Sequence, residues 1–187
     1  ACASIRDIDK GKHIHEEIVK RGLLEKNIIL GTALVDMYAK CGAIVKAEQV
    51  FNDLPVRNVI SWNAVIAGCV QCGRSEDALN HFMQMKREGF YPDGITLSSI
   101  LKACGSTCCV DMGKQIHDEI LRHGVLDKDV VLGTSLVDMY SKCGALDKAR
   151  EVFEELPERN IVSWSALISG YARNGLGHEA LKWMMDE

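Results

Sequence analysis

Gly31–Ala43 reads GTALVDMYAKCGA, and Gly133–Ala145 reads GTSLVDMYSKCGA. A second pair of phrases, RNVISWNAVIAG at Arg57–Gly68 and RNIVSWSALISG at Arg159–Gly170, recurs at the same offset of 102 residues. Sliding the whole chain over itself by that offset makes 42 of the 85 overlapping positions identical, so the molecule is a repeat array and not a fold built round one core. A unit of this kind cannot bury its own apolar face and has to stack on its neighbours.

The long period divides again. Apolar stretches begin at Ile28, Val59, Gly94, Val130 and Ile161, giving lengths of 31, 35, 36 and 31 residues, of which the first three sum to 102. The mean of those three, 34 residues, is the length of a helical hairpin. Within one copy Leu136, Tyr140 and Cys143 fall at i, i+4 and i+7, and Ala149, Val152, Phe153 and Leu156 fall at i, i+3, i+4 and i+7, the spacing of two amphipathic helices. Cys-Gly at 41–42, 72–73 and 143–144 places glycine where a helix ends in a left-handed cap. Leu-Pro at 54–55 and 156–157 closes a second helix, because the residue before proline avoids the helical region. No stretch reads as a strand pair. The predicted fold class is all-α, an α-α superhelix: a right-handed solenoid of antiparallel helix-turn-helix pairs.

Hydrophobic residues make up 47% and charged residues 26% of the chain, with 3 Pro, a globular composition free of low-complexity segments. The longest apolar runs fall short of a membrane span. The chain opens at Ala1 inside a repeat and stops at Glu187 partway through another, so we read it as an excerpt of a longer array. Apolar faces at cut ends make self-association through the truncated repeats an expectation.

Two motifs invite a chemical reading. Cys69-Val-Gln-Cys72 has metal-site spacing, but Tyr171 and Asn174 stand at the equivalent positions and no second such pair completes a ligand set. His-x-Glu, at His15–Glu17 and His117–Glu119, is half of a zinc-deaminase signature, yet no Pro-Cys occurs in the chain to supply the other half. A histidine recurring in two repeats reads as a packing or surface residue of that helix. Cys2, Cys104, Cys41 and Cys143 are paired by the repeat on apolar helical faces and read as small hydrophobes. Cys108 and Cys109 lie near a loop, and eight free thiols fit a reducing compartment. No phosphate-binding glycine loop, nucleophile elbow or convergent carboxylates are present. The expectation is no enzyme activity, no catalytic residue, no metal and no cofactor.

Tetratricopeptide repeats need Leu-Gly after the first-helix Trp, but Trp62 and Trp164 are followed by Asn-Ala-Val-Ile and Ser-Ala-Leu-Ile. The phrases NVISWNAVIAG, EDALNHFMQMKREGFYPD, GTALVDMYAKCG and KAREVFEELPERN instead resemble the pentatricopeptide repeat family. The alternation of lengths resembles its plant subclass of standard, long and short repeats. On that resemblance residues 1–27 form a partial long repeat, 28–58 a short one, 59–93 a standard one and 94–129 a long one. A short repeat at 130–160 and a partial standard one at 161–187 complete the array.

The resemblance implies single-stranded RNA binding, one base per repeat, chosen by the fifth and last residues of each repeat. The implied pairs are Thr32 with Asn58, Asn63 with Asp93, Ser98 with Asp129, and Thr134 with Asn160, while Ser165 lacks its partner. By the family's rules the Thr/Asn pairs favour adenine, Asn63/Asp93 uracil, Ser98/Asp129 nominally guanine and Ser165 a purine. The implied target is 5′-A-U-N-A-purine-3′. Second-position Ile29, Ile60, Ile95, Val131 and Val162 would wedge against base faces, or else pack on the preceding repeat. Lys40, Lys142 and Arg173 match a phosphate-facing position, or else are solvated cations completing a helix dipole. A net charge of −4 and a pI near 5.9 predict weak, salt-sensitive binding.

The implied role is target selection for organellar RNA processing, C-to-U editing, in a chloroplast or mitochondrion. Any deaminase domain would lie elsewhere in the parent, and small accessory proteins would clasp the long repeats. The alternative is a protein-binding solenoid, against which the recurring Thr/Asn pairs count.

Overall fold

A computed structural model of the chain describes residues 8–24, 27–124 and 129–179. The predicted packing of Cys2 and the outer ends of the partial repeats lie outside the described residues. The described residues form helices and turns without strands. In chain order the helices are α1 (Ile8–Lys20), α2 (Ile28–Lys40), α3 (Ile44–Asn52), α4 (Val59–Gln71) and α5 (Ser75–Arg87). They continue with α6 (Gly94–Thr107), α7 (Val110–Arg122), α8 (Val130–Lys142), α9 (Leu146–Glu155) and α10 (Ile161–Arg173).

Local chemistry explains where these helices start and stop. Asn58 precedes α4 in an extended conformation and its side-chain oxygen accepts from Ser61 N at 2.8 Å, while the Ser61 hydroxyl accepts from Asn58 N at 3.0 Å. This reciprocal box satisfies two backbone donors that the first turn leaves orphaned. Asn160 and Ser163 repeat it before α10. Asn27 and Asp129 cap α2 and α8 with their side-chain oxygens. At the other end of α2 and α8, Gly42 and Gly144 take φ of 78° and 76°, which lets Ala43 N and Ala145 N turn back onto Tyr38 O and Tyr140 O. A side chain at either glycine would be strained.

The chain divides into two compact units, Ala1–Ile100 and Leu101–Glu187. In the first, α2 packs on α3 and α4, and α4 on α5. Tyr38, Phe51, Trp62, Ile66, Phe82 and Met85 are fully buried there, with Trp62 edge-on to Phe51 at 4.6 Å between ring centroids. In the second, α8 packs on α7, α9 and α10 around buried Ile116, Ile120, Leu136, Tyr140, Val152 and Phe153. Burying each such side chain contributes roughly 1.5–3 kcal/mol over leaving it exposed.

Small residues bring the first helices of successive pairs together. A Cβ placed on Gly68 of α4 would lie 2.5 Å from the Ala39 Cβ of α2, and one on Gly170 of α10 would lie 2.4 Å from the Ser141 Cβ of α8. The backbones therefore approach as far as glycine allows, and the outward faces of these first helices sit side by side.

Candidate nucleic-acid interface

That close approach creates one cleft in each unit. In the first unit a cleft of about 430 Å³ is lined by Ile29, Thr32, Asn58, Ile60, Asn63 and Ile95, with Ala33, Ala64, Ala67 and Asp36 completing its wall. In the second unit a cleft of about 560 Å³ is lined by Val131, Thr134, Asn160, Val162 and Ser165, together with Lys102, Asp138, Lys142, Ser169 and Arg173. Residues separated by a whole repeat in sequence thus meet around a common space.

Each cleft holds a hydroxyl that the fold itself does not use. Oγ1 of Thr32 and Oγ1 of Thr134 are withdrawn from solvent and have no hydrogen-bond partner among the described residues. A buried polar atom left unmade costs about 1–3 kcal/mol, so the fold tolerates a local penalty at two repeat-equivalent positions. Beside them, the side-chain oxygens of Asn58 and Asn160 are taken up by capping, which leaves each amide NH2 to offer as a donor. Hydroxyl and amide together present a donor-acceptor group and a donor.

The Asn63/Asp93 pair is arranged differently. Asn63 Nδ2 donates to both Asp93 carboxylate oxygens at 3.0 and 2.9 Å, and its Oδ1 accepts from the Thr96 hydroxyl. Asp93 also caps α6, accepting from Thr96 N at 2.9 Å. The amide orientation is therefore fixed, since rotating it would set its oxygen against the carboxylate. Thr96 is a participant that sequence reasoning missed; its spacing of three from Asp93 is the capping-box spacing and was the available signal.

Ser98 is half-buried and its hydroxyl donates to Ile95 O at 3.1 Å, a bond within its own helix. Asp129 accepts from Val131 N and Leu132 N at 3.0 and 3.1 Å. Both carboxylate and hydroxyl are thus engaged with local backbone.

The second-position aliphatics are exposed: Ile29 by 74%, Ile60 by 66%, Ile95 by 62%, Val131 by 64% and Val162 by 59%. Packing on a preceding helix would have covered them. Apolar side chains held in water beside orphaned hydroxyls make a surface that a flat, partly polar ring can occupy.

The cations are less free than their positions imply. Lys40 Nζ pairs with Asp36 at 2.8 Å and Lys142 Nζ with Asp138 at 2.6 Å, both one turn back on their own helices. Lys40 does not line the first cleft, whereas Lys142, Arg173 and Lys102 surround the second with only Asp138 opposing them. Lys102 and Arg173 make no ion pair among the described residues. The second cleft is therefore cationic within an acidic chain.

The remaining motifs have structural explanations. His15 Nδ1 meets Tyr38 OH at 3.0 Å and His117 Nδ1 meets Tyr140 OH at 3.1 Å, so the recurring His-x-Glu is a ring-packing element. Burial lowers both imidazoles below their ordinary value. Burial pushes the Cys69 and Cys104 thiols up to about 12 and Cys143 up to about 11, which holds each as the neutral thiol. The Cys72 sulfur turns to Ala39 O at 3.9 Å, away from a shared site with Cys69. Cys69 instead meets Glu48 and His81, the three ligand-type atoms lying within 4.8 Å of one another. No helix among the described residues is long and apolar enough to cross a membrane.

Comparison with known proteins agrees with this architecture. A PPR repeat family model matches residues 57–106, and a PPR repeat model matches 32–59, 134–161 and 162–186. A chloroplastic pentatricopeptide repeat-containing protein of Arabidopsis thaliana is 42% identical over 184 residues, covering 98% of this chain and 30% of its own length. A putative mitochondrial one from the same plant is 43% identical over 182 residues, covering 97% of this chain and 29% of its own length. The chain thus spans under a third of these relatives. The maize pentatricopeptide repeat protein PPR10 superposes with a TM-score of 0.74 at 20% identity, over 99% of this chain and 27% of that one. Its complex with an 18-nt psaJ RNA element superposes with a TM-score of 0.76 at 22% identity, over 95% and 27%. The fold is that all-α helical-hairpin repeat.

Proposed function

We propose, from the premise that the chain belongs to the pentatricopeptide repeat family, that it binds single-stranded RNA with one base seated per repeat. The observation that carries the reading is the pair of orphaned hydroxyls, Thr32 and Thr134, each facing an N-cap asparagine in a cleft flanked by exposed aliphatics. A base entering between Ile29 and Ile60, or between Val131 and Val162, would bury apolar surface and, once the side chains covering the threonine hydroxyl part, give it its missing partner. The asparagine amide adds a donor at the base edge. Phosphates would follow Lys142, Arg173 and Lys102 in the second unit, where competition with Asp138 weakens the contact.

In this reading the array is of the subclass with standard, long and short repeats and serves target selection for RNA processing, C-to-U editing, in a plant organelle. The chloroplastic and mitochondrial names of the relatives support the location. Accessory proteins would engage the long repeat at 94–129.

The test is binding of labelled RNA containing A-U-N-A at low salt, beside an RNA with both adenines changed to guanine. A variant carrying Thr32→Asn, Asn58→Asp, Thr134→Asn and Asn160→Asp converts both pairs to the Asn/Asp combination. Asparagine and aspartate cap helices about equally, so the changes at 58 and 160 keep the caps, and far-UV circular dichroism checks that the whole variant folds. Preference for the adenine RNA, transferred to a uracil version by the variant, supports the proposal. Equal binding to all RNAs, or none by folded protein, refutes it in favour of a protein partner.

A further inference from the structure

Glu48, Cys69 and His81 come from three different helices, α3, α4 and α5, and no equivalent trio exists at the positions one long period away, which hold Arg150, Tyr171 and Trp183. Glu48 Oε1 lies 3.8 Å from the Cys69 sulfur and 3.4 Å from His81 Nε2. Zinc bonds of about 2.3 Å to sulfur and about 2.0–2.1 Å to nitrogen and oxygen set tetrahedral ligand separations of roughly 3.3–3.6 Å. The two separations from Glu48 Oε1 are within a few tenths of an ångström of that range, and all three atoms lie within 4.8 Å of one another.

The surroundings hold these groups in place. The second oxygen of Glu48 accepts from Arg74 Nη1 at 2.8 Å, and Arg74 Nε donates to Asp77 at 2.7 Å. A ligating carboxylate fixed through its other oxygen is the usual outer shell of a metal site. The His81 ring lies edge-on to Phe51 at 6.0 Å and tilted to Trp62 at 6.2 Å, so buried aromatics fix its direction.

We infer that Glu48, Cys69 and His81 form a zinc-binding site of the first unit, with water as the fourth ligand. Without metal, the thiol and the imidazole N–H both donate to Glu48 Oε1. On binding, the Cys69 proton leaves to solvent, the His81 ring offers Nε2 and carries its proton on Nδ1, and the sulfur and nitrogen that shared the Glu48 oxygen share the ion with it instead. The charges then balance: carboxylate and thiolate offset Zn2+, and Asp77 offsets Arg74. A thiolate with an imidazole selects zinc over the oxygen-preferring magnesium and calcium. The site would staple α3 of one hairpin to both helices of the next, acting on stability and not on base choice.

The probe is Co2+ added to the metal-free 187-residue protein without RNA. The expected result is a thiolate-to-cobalt charge-transfer band with tetrahedral d–d absorption, saturating at one equivalent and displaced by Zn2+. His81→Gln, at the partly accessible edge of the core, should weaken binding by at least about tenfold. Cys69→Ser should abolish the charge-transfer band, and Cys72→Ser and Cys108→Ser should leave it. No band in folded protein, a band that survives Cys69→Ser, or unchanged affinity in His81→Gln overturns the inference. If Cys69→Ser does not fold, His81→Gln and Cys72→Ser decide between them.

Discussion

Replacing Thr32 and Thr134 together by valine separates what the fold needs from what a ligand needs. Valine keeps the β-branched shape and has nearly the same helix propensity, so packing and backbone change little. Neither Oγ1 has a hydrogen-bond partner to lose, and an unsatisfied buried oxygen costs about 1–3 kcal/mol. Each substitution should leave stability unchanged or raise it by up to about 1 kcal/mol, partial solvation in the unfolded chain absorbing the rest. The two sites share no partner, so their effects should add. Adenine-containing RNA should bind more weakly, since one hydroxyl contact is worth about 0.5–1.5 kcal/mol, or roughly 2- to 12-fold per site. The assays are urea unfolding followed by far-UV circular dichroism, fitted with nearest-neighbour coupling between repeats, and fluorescence anisotropy with labelled RNA. A loss of more than about 1 kcal/mol per site would show that these hydroxyls are bonded in solution. Unchanged adenine binding would remove the threonines from base reading.

Three further outcomes follow from other parts of the molecule. Gly68→Ala puts a methyl group 2.5 Å from Ala39 Cβ, so thermal unfolding should show destabilisation of about 1–3 kcal/mol. Lys142→Gln should lower the slope of log affinity against log salt by about 0.7 and weaken all RNA sequences alike; a change in base preference would contradict a phosphate role. His117 is held below the ordinary imidazole value by burial, so the unfolded chain binds its proton more readily than the folded one. Stability should therefore fall as pH drops below about 6.5 and level off below the folded value, and His117→Gln should flatten part of that slope in urea midpoints. His15, lowered for the same reason, accounts for a further part.

The helical hairpin was legible from the chain because its determinants are local. Four-residue spacing of Leu136 and Tyr140, glycine after Cys41 and Cys143, and Leu-Pro at 54–55 and 156–157 act within a turn or two of backbone, so reading along the chain finds them. The identities of the cleft residues came through the family resemblance, which rests on those same recurring phrases. Tertiary structure alone decided their condition. Packing one hairpin on the next withdrew the Thr32 hydroxyl from water, latched Asn63 between Asp93 and Thr96, and left Ile29 and Ile60 uncovered. It also set Glu48 against Cys69 and His81, residues that no local spacing connects. Periodicity records which face of a helix is buried; which atoms meet there depends on the neighbour's side chains and on how closely Gly68 and Gly170 let the backbones approach.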